Sequence, residues 1–205
     1  MDTKTHTYIE SVISRRKPGE IVFPTEFRGK GSQAAIKKAM SRIAKTGKIN
    51  RLAHGIYYIP KTDPKLGKLR PDPEQVVKMV AQKEKIRVRP AGAYALHRLG
   101  LTTQVPTKRV YITDGNSRQF KLGNIQIRFK STSAKKFAMK GEISSLVIQA
   151  IEEIGVQHIS KEIQMKLGAF LSKEDPKILQ HDLRLASAKV NDYIVKLMKL
   201  IQSND

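Results

Sequence analysis

The residue types best suited to chemistry are gathered between Ser32 and Gly47, in the run QAAIKKAMSRIAKT. At 100° per residue Ile36, Ala39, Met40 and Ile43 fall on one side of a helix, while Ala34, Lys37, Lys38, Ser41, Arg42 and Lys45 spread over the other. Four cations among small residues let a helix backbone lie deep in a major groove, with side chains near its N-terminus reaching base edges. Gln33 and Lys37 sit at that end. Gln33 has the amide geometry that reads adenine, Lys37 and Lys38 suit guanine or phosphate, and Arg42 and Lys45 are placed for phosphates. Downstream, KINRLAHGIYYIP alternates Ile49 and Leu52 with polar neighbours, turns at His54-Gly55 and returns to Pro60. Such a hairpin carries Arg51 and His54 at or near its tip, where a wing meets the sugar-phosphate backbone or the minor groove.

A second cationic pattern lies further on. Three strand-like runs are expected at Arg109–Thr113, Arg118–Leu122 and Ile125–Lys130, and in the last Ile125, Ile127 and Phe129 alternate with Gln126, Arg128 and Lys130. One sheet face is then apolar and the other basic, which makes Arg118, Arg128 and Lys130 a second surface for anions. Catalytic constellations are not expected. His6, His54, His97, His158 and His181 show no metal-ligand spacing, and there is no cysteine, so neither a metal site nor a cofactor is anticipated. Arg28-Gly29-Lys30-Gly31-Ser32 lacks the upstream glycine of a phosphate loop, and Glu152 and Glu153, adjacent on a helix, diverge by 100°. The expectation is a binding protein, not an enzyme.

The elements that must position these residues follow from local signals. Thr3 or Thr5 can cap a helix to about Arg16 with Tyr8, Ile9, Val12 and Ile13 inside, ended by Pro18-Gly19. A short strand at Ile21–Phe23, a brief helix capped by Thr25 and reaching Phe27, and the turn Arg28-Gly29-Lys30-Gly31 lead to Ser32 as cap of the basic helix. With the hairpin, residues 1–60 have the element order of a winged helix-turn-helix. Residues 61–72, with their prolines and no apolar period, read as a linker to a second domain at 73–205. That domain opens with a helix capped at Asp72-Pro73, continues through a strand at 86–89 and a helix at 91–99, and passes through the three strands above. It ends in helices, beginning with the stripe Ile143, Leu146, Val147, Ala150, Ile151 and Ile154; Ser160 and Asp175 open later ones. The fold class expected is α+β, a winged helix-turn-helix followed by a mixed α+β domain ending in several helices.

Charge supports a polyanionic partner. Thirty-nine basic and 18 acidic residues give +21, distributed as +11 over residues 1–70, +11 over 71–141 and −1 over 142–205. Solubility needs a net charge of only about 2 to 8 in a small domain. The near-neutral last third, patterned as amphipathic helices, is set aside for packing. The first residues do not have the pattern of a leader, so none is expected, and no apolar run reaches roughly 18 residues; the expectation is a cytoplasmic protein with no membrane partner.

The run PAGAYALHRLGLTTQVPTKRVYITDG, Pro90 to Gly115, resembles the second-domain signature of AbiEi-like antitoxins of type IV toxin-antitoxin systems, in the branch with an N-terminal winged helix. Phe23-Pro24-Thr25-Glu26-Phe27, Gly31-Ser32, Ala39-Met40-Ser41-Arg42-Ile43 and Gly55-Ile56-Tyr57-Tyr58 fall where that family has its short helix, recognition helix and wing. His97-Arg98 departs from it, asparagine being more usual there. The resemblance implies an antitoxin that represses its own operon through the winged helix, binding promoter DNA; a dimer on inverted repeats is geometrically natural for such a motif, and two monomers binding cooperatively fit equally well. It also implies counteraction of a nucleotidyltransferase-like toxin, or of that toxin's effect on its RNA target. The alternatives are a stand-alone winged-helix transcriptional regulator and an RNA-binding module that uses the basic sheet face.

Overall fold

Isoleucines one helical turn apart set the first element. Ile9 and Ile13, almost fully buried, project from α1 (Asp2–Ser14) onto Ile36, Met40 and Ile43 of α2 (Gln33–Lys45). Between the two helices come a two-residue strand β1 (Ile21–Val22) and a single 3-10 turn (Pro24–Phe27). After α2, β2 (Asn50–Ala53) and β3 (Ile56–Tyr58) form an antiparallel hairpin that β1 joins, giving the order β1-β3-β2. This is the winged helix-turn-helix arrangement, and the computed structural model, which describes residues 2–202, is α+β throughout.

Several local expectations shift for identifiable reasons. Thr3 and Thr5 lie inside α1 and do not cap it; Thr5 is buried, its hydroxyl donating to the Lys30 carbonyl at 2.9 Å. Thr5 thus extends the Ile9–Ile13 stripe at the i−4 spacing, and Tyr8, expected inside, is 43% exposed with the Lys30 ammonium 5.1 Å from its ring centre. Thr25 does not cap the next turn either. Pro24 starts it, and the Glu26 carboxylate accepts from the Phe23 amide at 2.8 Å, so the turn begins before Thr25.

The stretch 61–72, expected as a linker, contains a second hairpin of β4 (Lys61–Asp63) and β5 (Gly67–Leu69). Its turn is closed by Asp63, whose carboxylate accepts from the Lys65 and Leu66 amides at 2.8 and 2.9 Å and is thereby held below its usual pKa. Strands this short and exposed need no apolar face, so no periodicity announces them. Helix α3 (Pro73–Glu84) is capped by Asp72, as its spacing predicts. Contacts divide the chain into Met1–Lys83 with Phe120–Gly123, and Glu84–Gln119 with Asn124–Asp205, so the division falls at the end of α3 and not at its start.

In the second unit β6 (Val88–Ala91) begins two residues later than predicted, after Lys85 at φ +56°. It is followed by α4 (Ala93–Arg98), β7 (Lys108–Thr113), β8 (Arg118–Leu122), of which only Arg118 and Gln119 group with this unit, and β9 (Ile125–Ser131). The sheet order is β6-β7-β9-β8: β7 lies parallel to β9, pairing Val110 with Arg128 and Ile112 with Lys130, and β8 takes the outer position. A short α5 (Ala134–Phe137), absent from the sequence reading, precedes the long α6 (Glu142–Ile154).

Helix α6 is buried on more than its expected stripe, including Ile148 and Ser144. It packs with α7 (Lys161–Leu171), α8 (Pro176–Leu183) and α9 (Ala188–Gln202) around Val147, Ile151, Leu167 and Ile194. Ser160 and Asp175 cap α7 and α8, as their spacing predicts. Asp175→Ala should cost about 1 kcal/mol, read as a lowered unfolding midpoint, because its carboxylate serves two orphan amides, Lys177 and Ile178. The fully buried carboxylate of Asp182 on α8 accepts from the amides of Lys140 and Gly141 (both 2.8 Å), the Ser144 hydroxyl (2.6 Å) and His181 Nδ1 (2.8 Å). Among the described residues no helix is long and apolar enough to cross a membrane.

Candidate nucleic-acid interface

Helix α2 is fixed at its start by Ser32, whose hydroxyl accepts from the Ala35 amide at 3.2 Å. The chain reaches that cap through Gly29, at φ +84°, and Gly31, which passes so close to α1 that a Cβ there would lie 2.9 Å from the Thr5 methyl group. With Ile36, Ala39, Met40 and Ile43 buried, two neighbouring i, i+4 ridges remain outside: Gln33–Lys37–Ser41–Lys45 and Ala34–Lys38–Arg42. All seven residues are exposed and the helix contains no acidic side chain. The predicted face is therefore brought together on one rigid element. Its chemistry is that of cations and one amide spaced along a surface free of bulky groups, suited to a duplex groove and its flanking phosphates.

The hairpin places Arg51 and His54 as expected. Arg51 stands opposite Tyr57, and His54 occupies the turn before Gly55 at φ +71°. Arg51 Nη2 lies 3.1 Å from His54 Nδ1, and both side chains are exposed. Because the guanidinium only donates, Nδ1 accepts, and a neutral His54 carries its proton on Nε2, a donor directed away from Arg51.

Lys48 is not part of this surface: it pairs with Glu10 at 2.7 Å, and its hydrogen bond and charge hold that carboxylate below its ordinary pKa. The sequence reading missed the exposed Arg28 and Lys30 in the turn before α2, and Lys61, Lys65 and Lys68 on the second hairpin, all within the first unit. The only sequence signal for the latter is the cationic content of 61–70.

On the second unit the three residues expected to form one anion-binding surface separate. Arg128 and Lys130 are exposed on one face of β9, opposite to the buried Ile127 and Phe129. Arg118 is elsewhere: its guanidinium lies 5.2 Å from the Phe129 ring centre, on the other face, and pairs with Glu84 at 2.7 Å. The period-2 rule places a residue on a face only within its own strand, and β8 enters the sheet in a register the sequence does not disclose. The Arg128–Lys130 face is not an open plane. It forms one wall of a cleft of about 660 Å³, with Lys108 on the same side and Gln149, Glu152 and Glu153 of α6 also lining it. Among the described residues no group of three or more histidines, cysteines and carboxylates is arranged to hold a metal ion.

A family model described as a family of unknown function (DUF6088) matches residues 8–179. No curated protein matches the sequence. Among solved structures, the RV2827C protein from Mycobacterium tuberculosis superimposes over 96% of this chain and 81% of its own, at 13% identity and a TM-score of 0.39.

Proposed function

The chain belongs to the DUF6088 family, whose function is unknown, and from its own geometry we propose that it binds double-stranded DNA through α2 and the wing and acts as a transcriptional repressor. The observation that carries this is the outward face of α2: seven exposed positions, four of them cationic and none acidic, on a helix whose other face is buried against α1. Gln33 and Lys37 read bases. Lys38, Ser41, Arg42 and Lys45 hold the backbone along the groove, and Arg51 with His54 engages the flanking groove or phosphates.

The resemblance to AbiEi-like antitoxins extends the proposal. The DNA is the protein's own promoter, the setting is the cytoplasm, and the second unit counteracts a nucleotidyltransferase-like toxin. A stand-alone regulator would bind DNA identically and lack the toxin gene beside it. Pairing of Arg118 with Glu84 counts against the reading in which the sheet binds RNA, since it removes one of that surface's three cations.

The test is binding of the full chain to its own upstream DNA and to a scrambled duplex at two or more salt concentrations. Lys37→Ala combined with Arg42→Ala should abolish the preference for the upstream sequence, through the lost base contact of Lys37, and flatten the slope of log affinity against log salt by about 0.9, for the one phosphate contact of Arg42. Equal binding by the double variant and the wild type, with the slope unchanged, rejects α2 as the interface.

A further inference from the structure

The cleft of the second unit has a division of charge that neither DNA binding nor packing uses. On β7 and β9 its wall carries Lys108, Arg128 and Lys130, and α6 contributes Glu152 and Glu153. Glu152 is already engaged, by the Lys136 ammonium and by the side-chain amide of the buried Gln149 at 3.2 Å. Glu153, Lys108, Arg128 and Lys130 form no ion pair or side-chain hydrogen bond among the described residues. Three cations and a carboxylate thus line one space without pairing.

Between them lies an apolar shelf. The parallel register of β7 and β9 sets half-buried Val110 beside Arg128 and buried Ile112, packed with Ala91 and Phe137, beside Lys130, and Val110, Ile112, Arg128 and Lys130 all line the cleft. At one edge the chain passes through Gly92, at φ +63°, where a Cβ would sit 3.6 Å from the Glu153 carboxylate. A Cβ at position 92 would make ordinary contact with the one unengaged acid, so it is the backbone angle and not crowding that favours glycine there.

A ligand that answers all three features has a compact anionic end, a flat apolar body and a donor-rich edge. Arg128 and Lys130, two residues apart on one strand and so about 7 Å from each other along it, can converge on one phosphate. A carboxylate accepts best from two adjacent N–H groups. Among nucleobases guanine presents such a pair, on N1 and N2, whereas adenine offers one amino group beside an acceptor. We infer that the cleft binds a guanine nucleotide, with the phosphate on Arg128 and Lys130, the base over Val110 and Ile112, and the guanine edge on Glu153. Its volume suits one small molecule. Glu152 and Glu153 disfavour a continuous phosphate backbone in the same space, which separates a free nucleotide from an RNA strand.

Calorimetric titration of the full chain with GMP, AMP, inorganic phosphate and a 5′-phosphorylated RNA hexamer tests this. GMP should bind saturably with one site per chain, at least about tenfold more tightly than AMP, and more tightly than phosphate or the hexamer. Arg128→Gln should weaken both nucleotides by about tenfold or more. Glu153→Gln should bring GMP and AMP level while leaving AMP unchanged. Both side chains are exposed, and unchanged melting of the two variants shows that they fold. The Lys37→Ala, Arg42→Ala variant should bind GMP like the wild type, so that failure of the DNA reading and failure of this one are told apart. The inference is overturned by no saturable GMP binding, by equal binding of GMP and AMP to the wild type, by tighter binding of the hexamer, or by indifference to Arg128→Gln.

Discussion

Asp182→Ala should lower the unfolding free energy by about 3 to 5 kcal/mol, the largest loss expected from any single polar substitution in the second unit. The carboxylate is wholly inaccessible and its acceptor capacity is filled by four donors, two of them the amides of Lys140 and Gly141 at the entry to α6. Removing it strands the Gly141 amide and the Ser144 hydroxyl, both buried, and takes away the partner of the part-buried Lys140 amide. The Ser144 amide, which donates to Glu174 at 2.9 Å, and the Ser145 amide, which donates to the Gly141 carbonyl at 3.2 Å, keep partners independent of Asp182 at that helix start. Asp182→Asn should cost less, because one carbonyl oxygen still accepts, but its NH₂ then faces donors.

The same site predicts acid sensitivity. Burial on its own would raise the Asp182 pKa; the hydrogen bonds from Ser144, His181 and the Lys140 and Gly141 amides outweigh it and hold the group below its usual value. A depressed folded pKa means that the stabilisation is fully present above the ordinary carboxylate range and is lost as pH falls through the folded value. Urea unfolding between about pH 7 and about pH 3 should therefore show the wild type losing stability more steeply than Asp182→Asn. An alanine variant as stable as the wild type at neutral pH, or parallel pH profiles, would show that the buried carboxylate contributes no net stability.

Why this knot was not foreseen shows what a single sequence carries. Periodicity and capping act over a few residues, so Ser32, Asp72, Ser160 and Asp175 are readable as caps, and the basic face of α2 is readable from a 3.6-residue period. Asp182 serves a helix start some forty residues away, and no local rule connects an aspartate at the end of α8 to Gly141. The same holds for the sheet. Alternation in β9 gave the correct faces for Ile127, Arg128, Phe129 and Lys130, but the parallel pairing of β7 with β9 and the outer place of β8 are long-range choices. Hence the basic pattern groups Arg118 with a face it does not share, and nothing local links the carboxylates of α6 to Arg128 and Lys130. Tyr8 failed differently. Period alone allows either of two neighbouring stripes on α1, and contact with the Gly31 turn selects the one through Thr5, a polar residue that a hydrophobic count passes over.

That contact supplies the second large effect. Gly31→Ala should destabilise the first unit by about 2 kcal/mol, since the new methyl group would overlap the Thr5 hydroxyl and come within 2.9 Å of its methyl. Thr5 cannot easily yield. It is β-branched, buried, and held by its hydrogen bond to the Lys30 carbonyl, so the strain passes to the turn that aims α2. Thr5→Ala alone should cost about 1 kcal/mol, for the lost hydrogen bond and the small void.

In the double variant the added methyl takes the space that the threonine side chain vacates. The combined loss should fall short of the sum of the single losses by about 1 to 2 kcal/mol. Measured by urea unfolding, such a coupling assigns the damage to one steric contact between α1 and the turn. Strictly additive losses would instead mean that the turn adjusts without reference to Thr5. DNA affinity separates the consequences: if α2 is the reading element, Gly31→Ala should weaken sequence-selective binding even where the protein remains folded, and Thr5→Ala in the same chain should restore it. Restored stability without restored selectivity would mean that Gly31 sets the stability of the unit and not the aim of its helix.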